Sequence, residues 1–415
     1  MKTFAASLAL ATALWASPAA AGDARVSANL ESWTYVSGQA RNDQSPFNPQ
    51  NRVAGLPSAQ WSQEIRFNLR FALEDSEFVL RPRLLQQHDI GRPGDPDHGD
   101  AYLSQGFVRH RLGPAWTLTA GRELLTWGPA NFRSPSNPLY FDADKTNPLR
   151  EVSGVDLVRI GVTQGPWSAT LAHVVSDAHL ADNHVRRPLT LAKLDWRGEE
   201  SLVGVIAATP MYDAPFLGAF AQATLDEAWL VYGEFGNGRR GQALTANASA
   251  FGPPFVVEHP APRRTTLLLG ASYTLENGQS VSFEGLHDGH GFDREASRRY
   301  FARANAVAAA YRAAPDPLAL RSLGQALGQS PALLGRDYLA LMWQSNPQES
   351  GQFWRLTWVA DLTDRSHQLT AYYEKNLARQ WSAFAAINLM RGPADSEATR
   401  LLRQTLTVGV KFFVF

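Results

Sequence analysis

Apolar and polar side chains alternate along the segment Trp61–Leu73. Every second position from 61 to 73 gives seven residues, of which six are apolar, and six of the seven interleaved residues from 62 to 74 are polar. A period of two is the pattern of a β-strand with one apolar face and one polar face. Such a strand fits a sandwich, in which the apolar faces pack on a core, or an outer-membrane barrel, in which they meet lipid.

The same alternation recurs along the chain and predicts eighteen strands. Short turns alternate with long loops, as in outer-membrane barrels, whose periplasmic turns are short and whose external loops are long. The pattern of Asp337–Gln344 is ambiguous, but we count this segment as a strand because an even number of strands places both ends of the barrel wall at the periplasm. Sixteen is the alternative, since Leu189–Trp196 and Leu217–Thr224 are short. The predicted strands are Arg25–Val36, Trp61–Leu73, Glu77–Gln87, Tyr102–Leu112, Trp116–Thr126, Val155–Thr163, Trp167–Val175, Leu189–Trp196, Leu202–Thr209, Leu217–Thr224, Ala228–Phe235, Thr265–Leu275, Ser280–His287, Asp337–Gln344, Gln352–Leu362, His367–Glu374, Trp381–Met390 and Gln404–Phe415.

One region, residues 292–335, breaks this alternation and predicts a helical insert in an external loop. Asp316-Pro317 and Ser330-Pro331 each place a capping residue before a proline at the first helical position. We expect two or three short helices that lie over the mouth of the barrel or fold into it. A separate domain is the alternative, but so short a segment cannot bury a core of its own. Tyr300, Ala304, Val307 and Tyr311 are spaced as one helical face.

Residues 1–21 have the three regions of a secretory signal peptide. Lys2 supplies the charge, Phe4–Trp15 the apolar stretch, and residues 19–21 the small side chains before the cleavage site. The mature chain, residues 22–415, is therefore expected in the envelope of a Gram-negative bacterium. It contains no run of about 18 apolar residues, so only strands could carry it across a membrane.

The composition excludes several classes of protein. The 415 residues include 39 basic and 39 acidic side chains, and this balance argues against a dedicated nucleic-acid-binding protein. There is no cysteine, which excludes zinc–thiolate sites, thiol nucleophiles and disulfides. The mean hydropathy is −0.25. A barrel gives such a value because alternation averages each strand to near neutrality.

Three features favour a transmembrane barrel over a sandwich. Eighteen strands without intervening helices exceed what one open sheet holds before it closes or splits. Several of the 12 tryptophans lie near predicted strand ends, as in the aromatic girdles of outer-membrane barrels. The terminal strand Gln404–Phe415 resembles the assembly signal of bacterial outer-membrane barrels, which ends on an aromatic residue. The tryptophans near predicted strand ends are Trp61, Trp116, Trp127, Trp167, Trp196 and Trp381.

The predicted fold class is thus all-β, an antiparallel up-and-down barrel of the outer membrane. Its expected partners are outer-membrane lipid and the machinery that assembles such barrels. On the terminal strand, Lys411 lies in phase with Phe415 and out of phase with the apolar residues. Because a charge that faces lipid at mid-depth costs ~2–4 kcal/mol, we assign Lys411 to the lumen.

The loop after the fifth predicted strand has a distinctive sequence. Its Gly121-Arg122, Trp127-Gly128-Pro129 and Asn137-Pro138 steps resemble a motif of porin-like families, including alginate-export-type porins and, more loosely, capsule-assembly Wzi-type barrels. In general porins the third external loop folds inward. The resemblance therefore implies that Trp127–Pro148 forms a constriction, shaped by Trp127 and Phe132. Four prolines stiffen this segment, and a rigid external loop without a role in transport is the alternative.

Arginines cluster on the polar faces of the amino-terminal third. Arg66 and Arg70 share one face, Arg81 and Arg83 share another, and Arg122 and Arg133 flank the loop. A row of lumenal arginines would attract anions and pair with carboxylate or phosphate groups. The alternative is internal Arg–Glu pairing that merely satisfies a wet interior. The candidate lumen and constriction residues are Arg66, Arg70, Arg81, Arg83, Arg122, Trp127, Phe132 and Arg133.

Catalytic and metal-binding motifs are weak or missing. Two clusters carry potential ligands, but neither has a demanding spacing, so no metal or other cofactor is predicted. The sequence has no nucleophile elbow, Walker loop, dinucleotide fingerprint or HExxH. We therefore predict that the protein is not an enzyme, with no catalytic residues. The two clusters are Asp95, Asp97, His98 and Asp100, and His287, Asp288, His290 and Asp293.

The predicted function is a channel for diffusion of small hydrophilic solutes, anionic ones such as sugar acids or carboxylates, or of a polysaccharide that is exported. A surface barrel with a blocked lumen that binds or assembles polysaccharide is the first alternative, and an outer-membrane hydrolase is the second. The sequence does not decide the solute, the direction of transport, or whether the chain is a monomer or a homo-oligomer.

Overall fold

A computed structural model describes residues 24–92, 96–142, 145–175, 188–211, 214–240, 243–247, 252–258, 260–346, 348 and 351–414. The predicted signal peptide, Asp95 and the final Phe415 lie outside these residues. Eighteen long strands and one short hairpin form within them. The long strands are β1 Arg25–Arg41, β2 Ala59–Leu73, β3 Ser76–Ile90, β4 Asp97–Arg111, β5 Trp116–Glu123, β6 Val155–Gln164, β7 Trp167–Val174, β8 Leu189–Arg197, β9 Ser201–Met211, β10 Ala214–Thr224, β11 Trp229–Gly238, β14 Arg264–Thr274, β15 Ser280–Asp288, β16 Asp337–Gln344, β17 Gln352–Asp361, β18 His367–Ala378, β19 Trp381–Arg391 and β20 Leu402–Val414, and the hairpin is β12 Ala243–Ala246 with β13 Phe255–Glu258.

The eighteen long strands form one closed antiparallel barrel. Each pairs with its neighbours in chain order, and β1 pairs with both β2 and β20, which closes the sheet. The predicted fold class is confirmed. The ambiguous segment Asp337–Gln344 is β16, and the two short candidates are the full strands β8 and β10, so the count is eighteen and not sixteen.

The outer surface of the wall is apolar and its inner surface is polar. On β3, Phe78, Leu80 and Leu84 are exposed, whereas Arg83 and Asp89, which have the opposite parity, are buried in the interior. Exposed leucine, valine and aromatic side chains continue around the other strands. This inversion of a globular protein's distribution is typical of a barrel that lies in lipid.

Exposed tryptophans mark one end of the barrel. They lie at or next to the strand ends that join the short turns, which is the periplasmic side. Trp127, which the sequence placed near a strand end, lies instead in a loop inside the barrel and packs against a buried apolar cluster. The exposed tryptophans of this periplasmic girdle are Trp116, Trp167, Trp196, Trp229, Trp343 and Trp381.

Two helices, α1 (Arg294–Ala313) and α2 (Pro317–Gly328), form in the loop between β15 and β16, as predicted. The helix start expected at Ser330-Pro331 was wrong, since residues 329–336 form no helix. Both begin at a capping aspartate: Asp293 accepts a hydrogen bond from Ala296 N (2.8 Å), and Asp316 accepts one from Leu318 N (2.9 Å). Neither helix of the described chain is long and apolar enough to span a bilayer.

The helices share an apolar core with two other external loops. The Tyr300 ring of α1 stacks on Phe47 of the β1–β2 loop at 5.0 Å and contacts Phe255 of the short hairpin at 5.6 Å. Six strands of the wall separate the β1–β2 loop from the helices. Loops a third of the circumference apart therefore meet in one core at the external end of the barrel. We call this assembly the external cap.

Candidate functional site

The third external loop, described at residues 124–142 and 145–154 between β5 and β6, lies inside the barrel, and we call it the inner loop. Two buried carboxylates on the opposite wall hold it, Glu234 of β11 and Glu284 of β15. Glu284 accepts hydrogen bonds from the backbone N–H groups of Asn131 (2.6 Å) and Phe132 (2.7 Å). We call these two glutamates the carboxylate clamp. The donors to Glu234 are Ala130 N (2.9 Å), Ser134 Oγ (2.7 Å), Ser136 Oγ (2.7 Å) and Ser136 N (3.2 Å).

Two wall glycines let the inner loop approach the strands closely. The Pro135 carbonyl oxygen occupies the space where a Cβ at Gly236 of β11 would stand. The Ser136 carbonyl does the same at Gly218 of the neighbouring β10. Any larger side chain at either glycine would displace the loop or the wall, so glycine is required here for the loop to lie against the barrel.

A buried ion pair holds the carboxyl-terminal end of the inner loop. Arg83 of β3 donates to Glu151 through Nε (2.7 Å) and Nη2 (2.8 Å), and Ser104 Oγ of β4 donates to the same carboxylate (2.7 Å). Burial of Glu151 disfavours its ionised form, but the ion pair and the hydrogen bonds outweigh burial and lower the pKa of Glu151. The loop is therefore attached on the side opposite the carboxylate clamp as well.

A third attachment lies on β17, where Arg355 Nη1 donates to the Lys145 carbonyl oxygen (2.5 Å). The Lys145 ammonium in turn donates to the Ala130 carbonyl of the same loop (2.6 Å). Burial lowers the pKa of Lys145, although the nearby carboxylate clamp opposes this shift. With contacts to β3 and β4, to β11 and β15, and to β17, the inner loop crosses the lumen.

The inner loop also has an apolar core of its own against β6–β8. Leu139 and Tyr140 are fully inaccessible to solvent and pack with Val155 and Leu191. The Tyr140 hydroxyl donates to the Ser153 carbonyl (3.0 Å). Trp127 packs at the edge of this cluster, and its indole N–H donates to the Ser136 carbonyl (3.3 Å). Phe132 lies in a second cluster, between the loop and β11–β16.

The structure pairs five of the six predicted arginines with carboxylates. Arg133 also lies over the Phe132 ring, with its guanidinium carbon 4.4 Å from the ring centroid. Arg81 has the inward parity of Arg83, and it makes no ion pair or hydrogen bond within the described residues. The pairs are Arg66–Glu64 (2.9 Å), Arg70–Glu77 (2.6 Å), Arg83–Glu151 (2.7 Å), Arg122–Asp156 (2.7 Å) and Arg133–Asp142 (3.2 Å).

Further carboxylates extend this network across β3–β6. Arg109 bridges Glu77 (2.9 Å) and Glu123 (2.6 Å), and Arg159 donates two bonds to Glu123. The alternation of the sequence did not identify Glu123, Glu151 and Asp156 as the partners of these arginines. The inward parity of Glu123 on β5 was the available signal.

A cluster of aromatic residues on β1, β18 and β19 was not predicted. Lys411 lies beside it in the interior, with Nζ 2.7 Å from Glu374 and 3.9 Å from the centroid of the Trp33 ring. Tyr372 and Phe384 stack at 6.1 Å on the same inner surface. The alternation of β1 gives Trp33 the inward parity, but periodicity alone does not reveal that rings from separate strands meet.

The two candidate metal clusters do not assemble. His287 pairs with Asp337 (2.7 Å) on the outer rim, whereas Asp288 points inward and pairs with Arg240 (3.3 Å) and His290 (3.1 Å). Asp97 pairs with His88, and Asp95 lies outside the described residues. Across the part of the chain that the structure describes, no three His, Asp or Glu side chains are grouped so that they could hold a metal ion.

No family model and no curated protein matches the chain. It is similar to the solved structures of Pseudomonas aeruginosa OccK11 (OpdR), with 12% identity, a TM-score of 0.55 and coverage of 94% of this chain and 96% of that one. OccK7 (OpdD) of the same organism gives 10%, 0.54, 95% and 99%, and OccK5 (OpdH) gives 10%, 0.52, 94% and 98%. At these identities the likeness concerns the fold, which is that of a porin-like outer-membrane barrel, as predicted. The closer resemblance to alginate-export-type and capsule-assembly barrels stays a prediction.

Proposed function

We propose that this chain, exported by its signal peptide, is a non-enzymatic channel through which small hydrophilic solutes diffuse across the outer membrane. The observation that carries the proposal is the inner loop, which crosses the lumen of a closed barrel and is held there by a carboxylate clamp and a buried ion pair. Trp127–Pro148 then forms the constriction. The apolar outer wall supports the location, with outer-membrane lipid and the barrel assembly machinery as partners.

We further propose that the channel prefers anionic solutes such as sugar acids or other carboxylates. Pairing with carboxylates reduces the net positive charge of the lumenal surface. Partly exposed guanidinium groups nevertheless keep unused N–H donors, such as that of Arg70, whose side chain is 65% exposed. Arg81 adds a cation without a carboxylate partner among the described residues. The loop's three attachments favour small solutes over a polysaccharide.

Single-channel recording in planar bilayers tests both levels of the proposal. The purified protein should give discrete conductance steps in KCl, and a salt gradient should give a reversal potential of the sign expected for chloride preference. A reversal potential of the opposite sign would exclude the anion preference but keep the channel. A barrel that inserts and conducts no current would exclude the channel itself.

Arg81→Gln should lower the anion-to-cation permeability ratio about two- to threefold, because one lumenal charge acting through water changes ion energies by under ~1 kcal/mol. The unfolding free energy should change by less than about 0.5 kcal/mol. Arg111→Gln is the matched control, since Arg111 ends β4 at a periplasmic turn and its side chain is 63% exposed. If the anion-to-cation permeability ratio is the same in the Arg81 variant, the control and the wild type, Arg81 does not contribute to the selectivity.

The blocked surface barrel that binds or assembles polysaccharide is the second candidate. The external cap favours it, because its core joins loops that lie a third of the circumference apart at the external end of the barrel, and the inner loop crosses the lumen. Swelling of proteoliposomes in isotonic sugars separates the two candidates. We expect swelling in small sugars, and its absence from liposomes that contain folded protein would favour the blocked barrel.

A further inference from the structure

A cavity of about 250 Å³ lies on the external side of the inner loop. The inner loop forms one wall with Arg133 and Arg150, and β17 and β18 form the opposite wall with Thr357, Asp361 and Thr370. Glu397, from the loop between β19 and β20, completes the lining on the barrel side.

The barrel side of the cavity carries two carboxylates without a basic partner. Asp361 is 5% exposed; its Oδ1 accepts from Thr363 N (2.6 Å), and its Oδ2 has no hydrogen-bond partner among the described residues. Glu397 Oε2 accepts from the Tyr338 hydroxyl (2.5 Å), and neither carboxylate pairs with lysine or arginine in the described chain. A buried carboxylate oxygen without a partner is costly, and a second carboxylate beside it raises that cost.

These two carboxylates lie close together around one backbone position. Gly335 N donates to Glu397 Oε2 (3.3 Å), and a Cβ at Gly335 would overlap the carboxylate of Asp361. The Thr357 hydroxyl, on the same inward face of β17 as Asp361, likewise has no partner among the described residues. Three acceptor groups for an incoming donor thus line this wall.

The loop side of the cavity has the opposite charge. Arg133 pairs with Asp142 (3.2 Å) and keeps part of its guanidinium fork for other acceptors, and Arg150 is exposed. Asp142 also lines the cavity on this side and offsets the charge of Arg133, so Arg150 supplies the net positive charge that faces the two carboxylates of the barrel wall. A solute with charge of only one sign would satisfy only one of these walls.

We propose that this cavity is a binding site for a small zwitterionic solute, with its carboxylate toward Arg133 and Arg150 and its protonated amine toward Asp361 and Glu397. The proposal rests on the channel function and not on the anion preference, and it adds zwitterions as a second solute class. An ammonium group supplies three donors for the acceptors of the barrel wall. The volume lies below the ~300–1,000 Å³ of pockets for drug-sized ligands, which suits a small amino acid. An amine is favoured over a metal because the described residues bring no three ligating side chains together.

Tracer flux into proteoliposomes tests the proposal with L-alanine and L-lactate, which differ in an amine and a hydroxyl. Alanine flux should saturate at a lower concentration than lactate flux. Asp361→Asn and Glu397→Gln should each raise the half-saturating concentration of alanine about tenfold, the loss expected for one charge-assisted hydrogen bond, and change that of lactate less than about twofold. Asp337→Asn, on the outward face of β16, is the control and should change neither.

Equal shifts for both solutes, or no shift in either acidic-wall variant, would overturn the zwitterion site. If Asp361→Asn does not fold, as judged by heat-modifiable electrophoretic mobility, Glu397→Gln decides alone. Potassium chloride conductance is recorded in the same preparations. Normal conductance with non-saturating alanine flux would overturn this inference alone, whereas a wild-type barrel without conductance would overturn the channel function as well.

Discussion

Replacing both glutamates of the carboxylate clamp, Glu234→Gln together with Glu284→Gln, is expected to raise the single-channel conductance at least about threefold. The clamp accepts six hydrogen bonds from the inner loop. A hydrogen bond to a charged group contributes about 1.5–3 kcal/mol, and the amide nitrogen of glutamine cannot accept one. The inner loop should therefore leave the wall for a substantial fraction of the time and widen the constriction.

The size limit for sugars in proteoliposome swelling should rise in the same variant. Glu227→Gln is the control, since Glu227 is exposed in the β10–β11 turn on the periplasmic side. Heat-modifiable mobility establishes that the double variant has folded. A folded double variant with wild-type conductance and size limit would show that the inner loop is not the constriction.

Arg83→Met should lower the free energy of unfolding by about 3–5 kcal/mol, the usual effect of removing one partner of a buried ion pair. Arg83 is 3% exposed, and its loss leaves the Glu151 carboxylate, whose side chain is 19% exposed, with a hydrogen bond from Ser104 and with Arg66 Nε at 4.0 Å. Equilibrium unfolding in guanidinium chloride, with the barrel in detergent micelles or lipid vesicles, measures the change.

Two comparisons separate this ion pair from surface charges. Adding Glu151→Leu to Arg83→Met should restore most of the loss, because no unpaired charge then remains buried. Arg70→Met should cost less than about 1 kcal/mol, since the Arg70 side chain is 65% exposed. Because the pKa of Glu151 is lowered, the wild-type advantage is present above the ordinary value of 4.5 and declines as the pH falls through the folded value. An Arg83 variant as stable as the Arg70 variant would contradict this interpretation.

The barrel could be predicted from the sequence because each strand separates two different environments. Because lipid lies on one side of each strand and polar groups lie on the other, apolar and polar residues alternate with a period of two, and this alternation indicated where the strands lie. The requirement for an even number of strands then added β16. The helices were predictable from Asp316-Pro317 and from the spacing of the buried face around Tyr300. Strand ends were less exact: β1 continues to Arg41, beyond the predicted Val36, because its pairing with β20 extends there.

The contacts of the candidate site could not be predicted in the same way. Periodicity says that Arg83 and Glu234 face inward, but it does not say what lies across the lumen. Glu151 is 68 positions from Arg83, and Ser136 is 98 positions from Glu234. These pairs form because the inner loop folds into the interior, which depends on space beside Gly218 and Gly236 and not on a local pattern.

The exposed tryptophans at the periplasmic rim have a consequence for the height of the barrel in the membrane. Indole rings prefer the boundary between hydrocarbon and headgroups, so this girdle fixes the periplasmic rim at one leaflet. A change in bilayer thickness must then be absorbed mainly at the opposite rim. Hydrophobic mismatch would thus act on the strand ends that carry the external cap, and lipid length becomes a way to shift the cap while the turns below stay in place.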